Sequence, residues 1–120
     1  MTTFTSLSFA QTTRDGVLIL ELRGPLDSAL ALDPVVEAAL QASAQNVIVV
    51  LSDVDYINSA GFGALVRMSE LVTQSAKAIY VVGLQAKVHV VFDSLGAHHL
   101  FNILPGLDEA LARIKSASKP

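Results

Sequence analysis

The stretch "VIVVLSDVDYINSAGFGALVRM" (Val47–Met68) decides the fold. It opens on a continuous apolar run, Val47 to Leu51, that is β-branched up to its last residue. Such a run suits a strand buried on both faces, as in a sheet carrying helical crossovers. From Phe62 the period changes. Phe62, Leu65, Val66 and Val72 fall on one side of a helix, with Arg67, Glu70, Thr73 and Gln74 largely on the other. A buried strand thus hands over to an amphipathic helix across the loop "SDVDYIN" (Ser52–Asn58), and Ser59 stands at the handover.

The flanks extend the alternation. Upstream, "LSFAQTTRDGVLILELRG" (Leu7–Gly24) reads as two strands around Asp15-Gly16, a strong hairpin signal because both central residues of a type I′ turn need positive φ. Gly24-Pro25 ends the second strand. Asp33-Pro34 predicts a helix start, with Asp33 at the N-cap and Pro34 at the first helical position. Leu32, Val35, Val36, Ala39 and Leu40 form its apolar face. Downstream, "AIYVV" (Ala78–Val82) is a strand closed by Gly83. Val88, Val91, Phe92 and Leu95 have helical spacing, with Gly96 placed to end that helix. Phe101–Leu104 predicts a short strand, and Leu107, Ala110, Leu111 and Ile114 a last helix before a frayed "SASKP" tail. The expectation is a single α/β domain over residues 1–120, ordered from about 5 to 116. It has a mixed, mostly parallel sheet of four to five strands, about four helices and an N-terminal β-hairpin.

Composition narrows the function classes. Apolar residues make up 52% of the 120, enough for a core and far from the composition of a disordered chain. No apolar run approaches the roughly 18 residues of a membrane span, and no basic-then-apolar start suggests a signal peptide. No cysteine is present, which excludes disulfides, thiolate zinc sites and a cysteine nucleophile. The net charge is -3 and the eight Lys and Arg are scattered, so neither a nucleic-acid footprint nor a polybasic membrane patch is expected. These features fit a cytoplasmic protein.

Ser59 falls at the carboxyl end of the buried strand, the edge of an open α/β sheet where ligands and partners bind. It is expected at the N-cap or in the first turn of the helix, where capping by its hydroxyl is worth about 1 kcal/mol. Gly61 and Gly63 bracket Phe62, each costing the helix about 1 kcal/mol relative to alanine. That cost points to close backbone approach, by the chain's own sheet or by a partner. Tight packing on the sheet explains Gly63 at least as well as a partner does. Tyr56 and Ile57, in a loop beside Asp53 and Asp55, read either as an exposed contact surface or as a lid on the core.

Catalysis finds little support. A nucleophile elbow Gly-x-Ser-x-Gly fails because residue 57 is isoleucine. His89 lies beside an apolar helical stripe, and His98 and His99 follow a helix end, where cations need no catalytic role. Gly61-x-Gly63 lacks the Gly-Lys-Ser/Thr ending of a phosphate loop. The histidine pair with Asp93 is a weak metal set. No catalytic residue, metal or cofactor is therefore assigned. A small-molecule site at the sheet edge stays open: a well-formed pocket beside Ser59 favours it, and a solvent-facing serine argues against it.

The same stretch resembles the signature of STAS domains, the family of bacterial anti-anti-sigma factors (anti-sigma factor antagonists). Leu51, Ser52, Val54, Tyr56, Ile57, Ser59, Gly61 and Gly63 match its pattern, Gly24-Pro25-Leu26-Asp27 matches a second feature, and "VHVVFDSLG" (Val88–Gly96) a third. Asn58 stands where the family usually has Asp, Ala60 where Ser or Thr is common, and Val50 where many members are polar. The resemblance implies that Ser59 is phosphorylated by a serine kinase that doubles as an anti-sigma factor, that the unphosphorylated form binds this partner and frees a sigma factor, and that a phosphatase resets the switch. The partner holds the ATP and Mg²⁺, so no cofactor is expected here. Asp27, Asp55, Tyr56, Ile57, Asn58, Ser59, Ala60, Gly61 and Phe62 are the expected partner-binding residues, on a monomer or weak dimer. The alternative is a STAS binding module of a stress-signalling or lipid-transport complex without a phosphoswitch.

Overall fold

The chain runs β1 (Ser8–Arg14), β2 (Val17–Arg23), α1 (Asp33–Gln41), β3 (Asn46–Asp53), α2 (Ser59–Gln74), β4 (Ala78–Val82), α3 (Ala86–Ser94), β5 (Asn102–Leu104) and α4 (Leu107–Ala117). The computed structural model describes residues 6–96 and 99–117. The hairpin forms where Asp-Gly predicts it: Asp15 and Gly16 both take left-handed backbone, at φ 53° and 76°. The strands lie in sequence order, β1 antiparallel to β2 and the rest parallel.

Side-chain alternation assigns the two faces of the sheet. Leu18, Leu20 and Leu22 of β2 and Val47, Val49 and Leu51 of β3 point into a core shared with α1, α2 and α3. Val17, Ile19, Ile48, Tyr80 and Val82 point the other way, under Ala110 and Ile114 of α4. The larger core contains an aromatic cluster. Phe92 of α3 meets Phe62 of α2 edge-on at 5.3 Å between ring centroids, and lies 5.6 Å from Phe101.

Several boundaries differ from the sequence reading. Asp33 is the first helical residue rather than the cap. Leu32 occupies the N-cap and makes no side-chain cap. A turn closed by Asp33 N–H donating to the Leu30 carbonyl runs straight into the helix, anchored by buried Leu32. Leu40, in the last turn of α1, and Leu95, at the C-cap of α3, are exposed rather than buried. β5 starts at Asn102 because Phe101 turns into the aromatic cluster. Ser116 and Ala117 belong to α4; residues 118–120 of the expected tail and residue 5 of the expected core lie outside the described residues. Gly96 follows α3 with φ +67°, as a helix-ending glycine should. The Lys77 ammonium, half-buried, donates to the Ala42 and Ala44 carbonyls and so ties the α2–β4 turn to the segment after α1.

Phe92 is fully buried and touches both other rings. Phe92→Ala is expected to cost about 3–5 kcal/mol. Urea unfolding checks this, as a lower midpoint at unchanged m-value.

Candidate functional site

The site is built where the chain leaves the carboxyl ends of β2 and β3. Past β2, Gly24 takes φ +103° and donates its N–H to the Asp53 carbonyl (3.1 Å). Leu26 then forms an isolated parallel bridge with Ile57. Its N–H donates to the Tyr56 carbonyl (2.9 Å), and its carbonyl accepts from Asn58 N–H (3.2 Å). The two loops thus continue the parallel pairing of their strands. Leu26 and Ile57 are buried beneath it, which fixes the register from below.

This bridge sets the start of α2. Asn58, extended at φ -121°, is the N-cap. Its Oδ1 accepts from Gly61 N–H (2.9 Å), and its Nδ2 donates to the Asp27 carbonyl (3.2 Å). Asn58 therefore caps the helix and clamps the Asp27 loop with one side chain. Gly61 faces the Leu26 carbonyl so closely that a Cβ there would overlap it. The close approach expected of Gly61 is thus made by the chain's own loop. Gly63 is different: it is exposed, and a Cβ on it would meet nothing within 4 Å. Packing on the sheet does not explain it.

Ser59 is the first residue of α2 and is exposed. It lies in the first turn, but the cap is Asn58, and the Ser59 hydroxyl makes no hydrogen bond with the described chain. Clefts of about 330–470 Å³ open on the described surface, and Ser59 does not line these. The serine faces solvent, the arrangement that argues against a small-molecule site.

The structure divides the residues expected at the partner surface. Asp27, Asp55, Tyr56, Ser59 and Ala60 are exposed, with Tyr56 at 52%. Ile57 and Phe62 are buried at 5% and 8%, and Gly61 is buried as well. Ile57 thus does not share the exposure of Tyr56: the pair splits, one residue outward and one into the core, because the bridge to Leu26 orients Ile57 inward. Asn58 is half-buried. Asp53 pairs with Arg23 at 3.4 Å, both well exposed, so its charge is partly offset at little gain in stability. Sequence reading missed Gln85, whose Nε2 donates to the Ser52 carbonyl (2.8 Å) and ties the start of α3 to the end of β3. No local pattern signals such a link, since the two residues meet only through the sheet.

His89 contacts Asp93 one turn on, Nδ1 to Oδ2 at 3.1 Å. His98 lies outside the described residues. Among the described residues no group of three or more His, Asp or Glu side chains gathers that could hold a metal ion. No helix among them is long and apolar enough to cross a membrane.

The STAS domain pattern matches residues 8–110 of this chain. The chain belongs to the STAS-domain family. It is 25% identical over 105 residues to an anti-sigma-B factor antagonist of Staphylococcus aureus, covering 86% of this chain and 97% of that protein. Its backbone is similar to the crystal structure of an anti-sigma factor antagonist from Mycobacterium paratuberculosis, with a TM-score of 0.82 at 22% identity over 95% of this chain and 99% of that one. The anti-sigma factor antagonist SpoIIAA in its unphosphorylated form aligns with a TM-score of 0.72 at 17% identity, over 91% and 97% of the two chains. The element order of this STAS domain is the one its periodicity predicts.

The two glycines of α2 offer an internal control. Gly63→Ala is expected to stabilise the domain by about 0.5–1 kcal/mol, because the helix gains propensity and nothing clashes. Gly61→Ala is expected to destabilise it by about 1–3 kcal/mol through overlap with the Leu26 carbonyl. Thermal unfolding of both variants beside the parent protein checks the opposite signs.

Proposed function

We propose that this STAS domain is a cytoplasmic anti-sigma factor antagonist whose partner is an anti-sigma factor with serine kinase activity, and that phosphorylation of Ser59 switches their binding off. The observation that carries this reading is Ser59 itself: exposed, unengaged, and at the first position of a helix whose cap is a different residue. A hydroxyl without a structural duty is free to be modified.

Physical chemistry supports a switch at this point. A phosphate brings about -1.5 to -2 charges at pH 7. At the first turn of a 16-residue helix, the dipole and backbone N–H groups favour those charges. The fold should therefore tolerate the modification. SpoIIAA, similar in backbone, has been solved in both unphosphorylated and phosphorylated forms. The effect falls on the partner surface, which we assign to exposed Asp27, Asp55, Tyr56, Ser59 and Ala60, with Gly63 added. Asn58 positions that surface, while Ile57, Gly61 and Phe62 support it from beneath. Asp27 and Asp55 already bring two carboxylates to this end of the molecule, and a phosphate raises the repulsion toward an acidic or apolar partner site. A loss of about 2.7 kcal/mol is a hundredfold in affinity. A phosphatase would then restore the binding form.

Ser59→Asp is expected to weaken binding to the cognate anti-sigma factor about a hundredfold in titration calorimetry, with stability unchanged within about 1 kcal/mol. Ser59→Ala is expected to keep the affinity and lose phosphate incorporation. Tight binding by Ser59→Asp would overturn the switch. Protein purified from its host should carry one phosphatase-sensitive phosphate at Ser59. A protein unmodified under every condition and inert to host kinases would instead be a constitutive STAS binding module, as in stress-signalling or lipid-transport assemblies.

A further inference from the structure

The two edges of the sheet are treated unequally. Edge strands expose unpaired N–H and C=O groups, and soluble proteins blunt them with short length, proline, lysine or bulges. β5 follows that rule: it is three residues long and stops at Pro105. β1 does not. It has seven residues, "SFAQTTR", in unbroken register with β2, with no proline, lysine or carboxylate, and its one charge, Arg14, sits at the hairpin end. Among the described residues, no backbone group of β1 bonds to anything but β2.

We propose that β1 is a self-association edge, at which two copies of this chain pair their β1 strands antiparallel about a twofold axis at Gln11. The hairpin geometry indicates which groups are available. A two-residue I′ turn makes Arg14 and Val17 a hydrogen-bonded pair. Alternation along the ladder then directs the N–H and C=O of Phe9, Gln11 and Thr13 to the open side. These three are spaced symmetrically about Gln11. In the antiparallel dimer Gln11 opposes Gln11 of the second copy and Phe9 opposes Thr13, so every outward N–H meets an outward C=O. The occupant must be an extended strand, because only a strand offers main-chain partners at this spacing.

Self-complementarity selects a second copy. A twofold interface requires each residue's partner to suit it in return. Phe9 against Thr13 is an aromatic–β-branched pair, Ala10 against Thr12 is small against small, and Ser8 against Arg14 places no like charges opposite each other. The result is one continuous sheet of ten strands. Ser59 follows β3, two strands inward from this edge, and stays uncovered. Seven residues of edge lie at the low end of interface size, so the dimer is weak, with Kd on the order of 100 µM.

Sedimentation velocity on the full chain from about 5 to about 500 µM tests this. The parent protein is expected to shift from monomer toward dimer. Gln11→Lys places two like charges on the axis, and Gln11→Pro removes an N–H that points away from β2. Both are expected to remain monomeric with the parent's circular dichroism, and comparing the two separates loss of pairing from damage to the hairpin. Because the chain has no native cysteine, Gln11→Cys should cross-link to a dimer under mild oxidation, and Thr73→Cys on exposed α2 should not. A parent protein monomeric throughout the range, or a dimer indifferent to both Gln11→Lys and Gln11→Pro, overturns the proposal.

Discussion

The arrangement at the carboxyl ends of β2 and β3 depends on one carbonyl. Leu26 is buried, and its C=O accepts from Asn58 N–H while lying against the bare face of Gly61. That contact brings the loop after β2 beside the loop after β3. It fixes the angle at which α2 leaves the sheet and so determines where Ser59 is presented. Asn58 closes the arrangement from the other side, accepting from Gly61 and donating to the Asp27 carbonyl. An unpaired backbone group this deep would cost about 1–3 kcal/mol, so the loops are held by a satisfied polar network over an apolar floor.

Further links extend along the same edge. Gly24 donates to the Asp53 carbonyl, Gln85 donates to the Ser52 carbonyl, and Gly83 donates to the Pro105 carbonyl. The first two join the segments after β2 and β4 to the end of β3, and the third joins the segments after β4 and β5. Parallel strands emerge side by side at one end, which brings the residues that follow one strand within hydrogen-bond reach of its neighbour. A rigid rim suits a surface read by a partner, since little ordering entropy is left to lose on binding.

Much of the architecture was legible because it rests on periodicity. The change from β-branched run to helical spacing after Val47–Leu51, the Asp15-Gly16 turn and the glycine after α3 are local signals, and the chain obeys them. The placement of Ser59 between β3 and the start of α2 was legible, but the division of labour among its neighbours was not. That Asn58 rather than Ser59 caps α2 depends on whether residue 58 is extended, which the bridge between Leu26 and Ile57, distant in sequence, decides. Likewise Gly61 and Gly63 look alike in sequence. Only the position of the Leu26 carbonyl shows that the first is sterically required and the second is not. Tyr56 and Ile57 are separated in the same way, by a contact that spacing cannot reveal.

The division of labour also explains how the domain tolerates asparagine where its family usually carries aspartate. A carboxylate at 58 could still accept from Gly61 N–H, but it has no donor for the Asp27 carbonyl and would set negative charge against it. The amide meets both demands. It also leaves the ground next to Ser59 one charge less negative, so a phosphate of about -1.5 to -2 charges would change the local field proportionally more. Along residues 56 to 63 the chain alternates groups that hold the fold with groups that face outward: Ile57, Asn58, Gly61 and Phe62 against Tyr56, Ser59, Ala60 and Gly63. Because the outward set bears little of the fold's stability, its charge and shape can change without unfolding the domain. Under the proposed switch, that separation is what would let a single serine alter what a partner meets while the sheet beneath it stays the same.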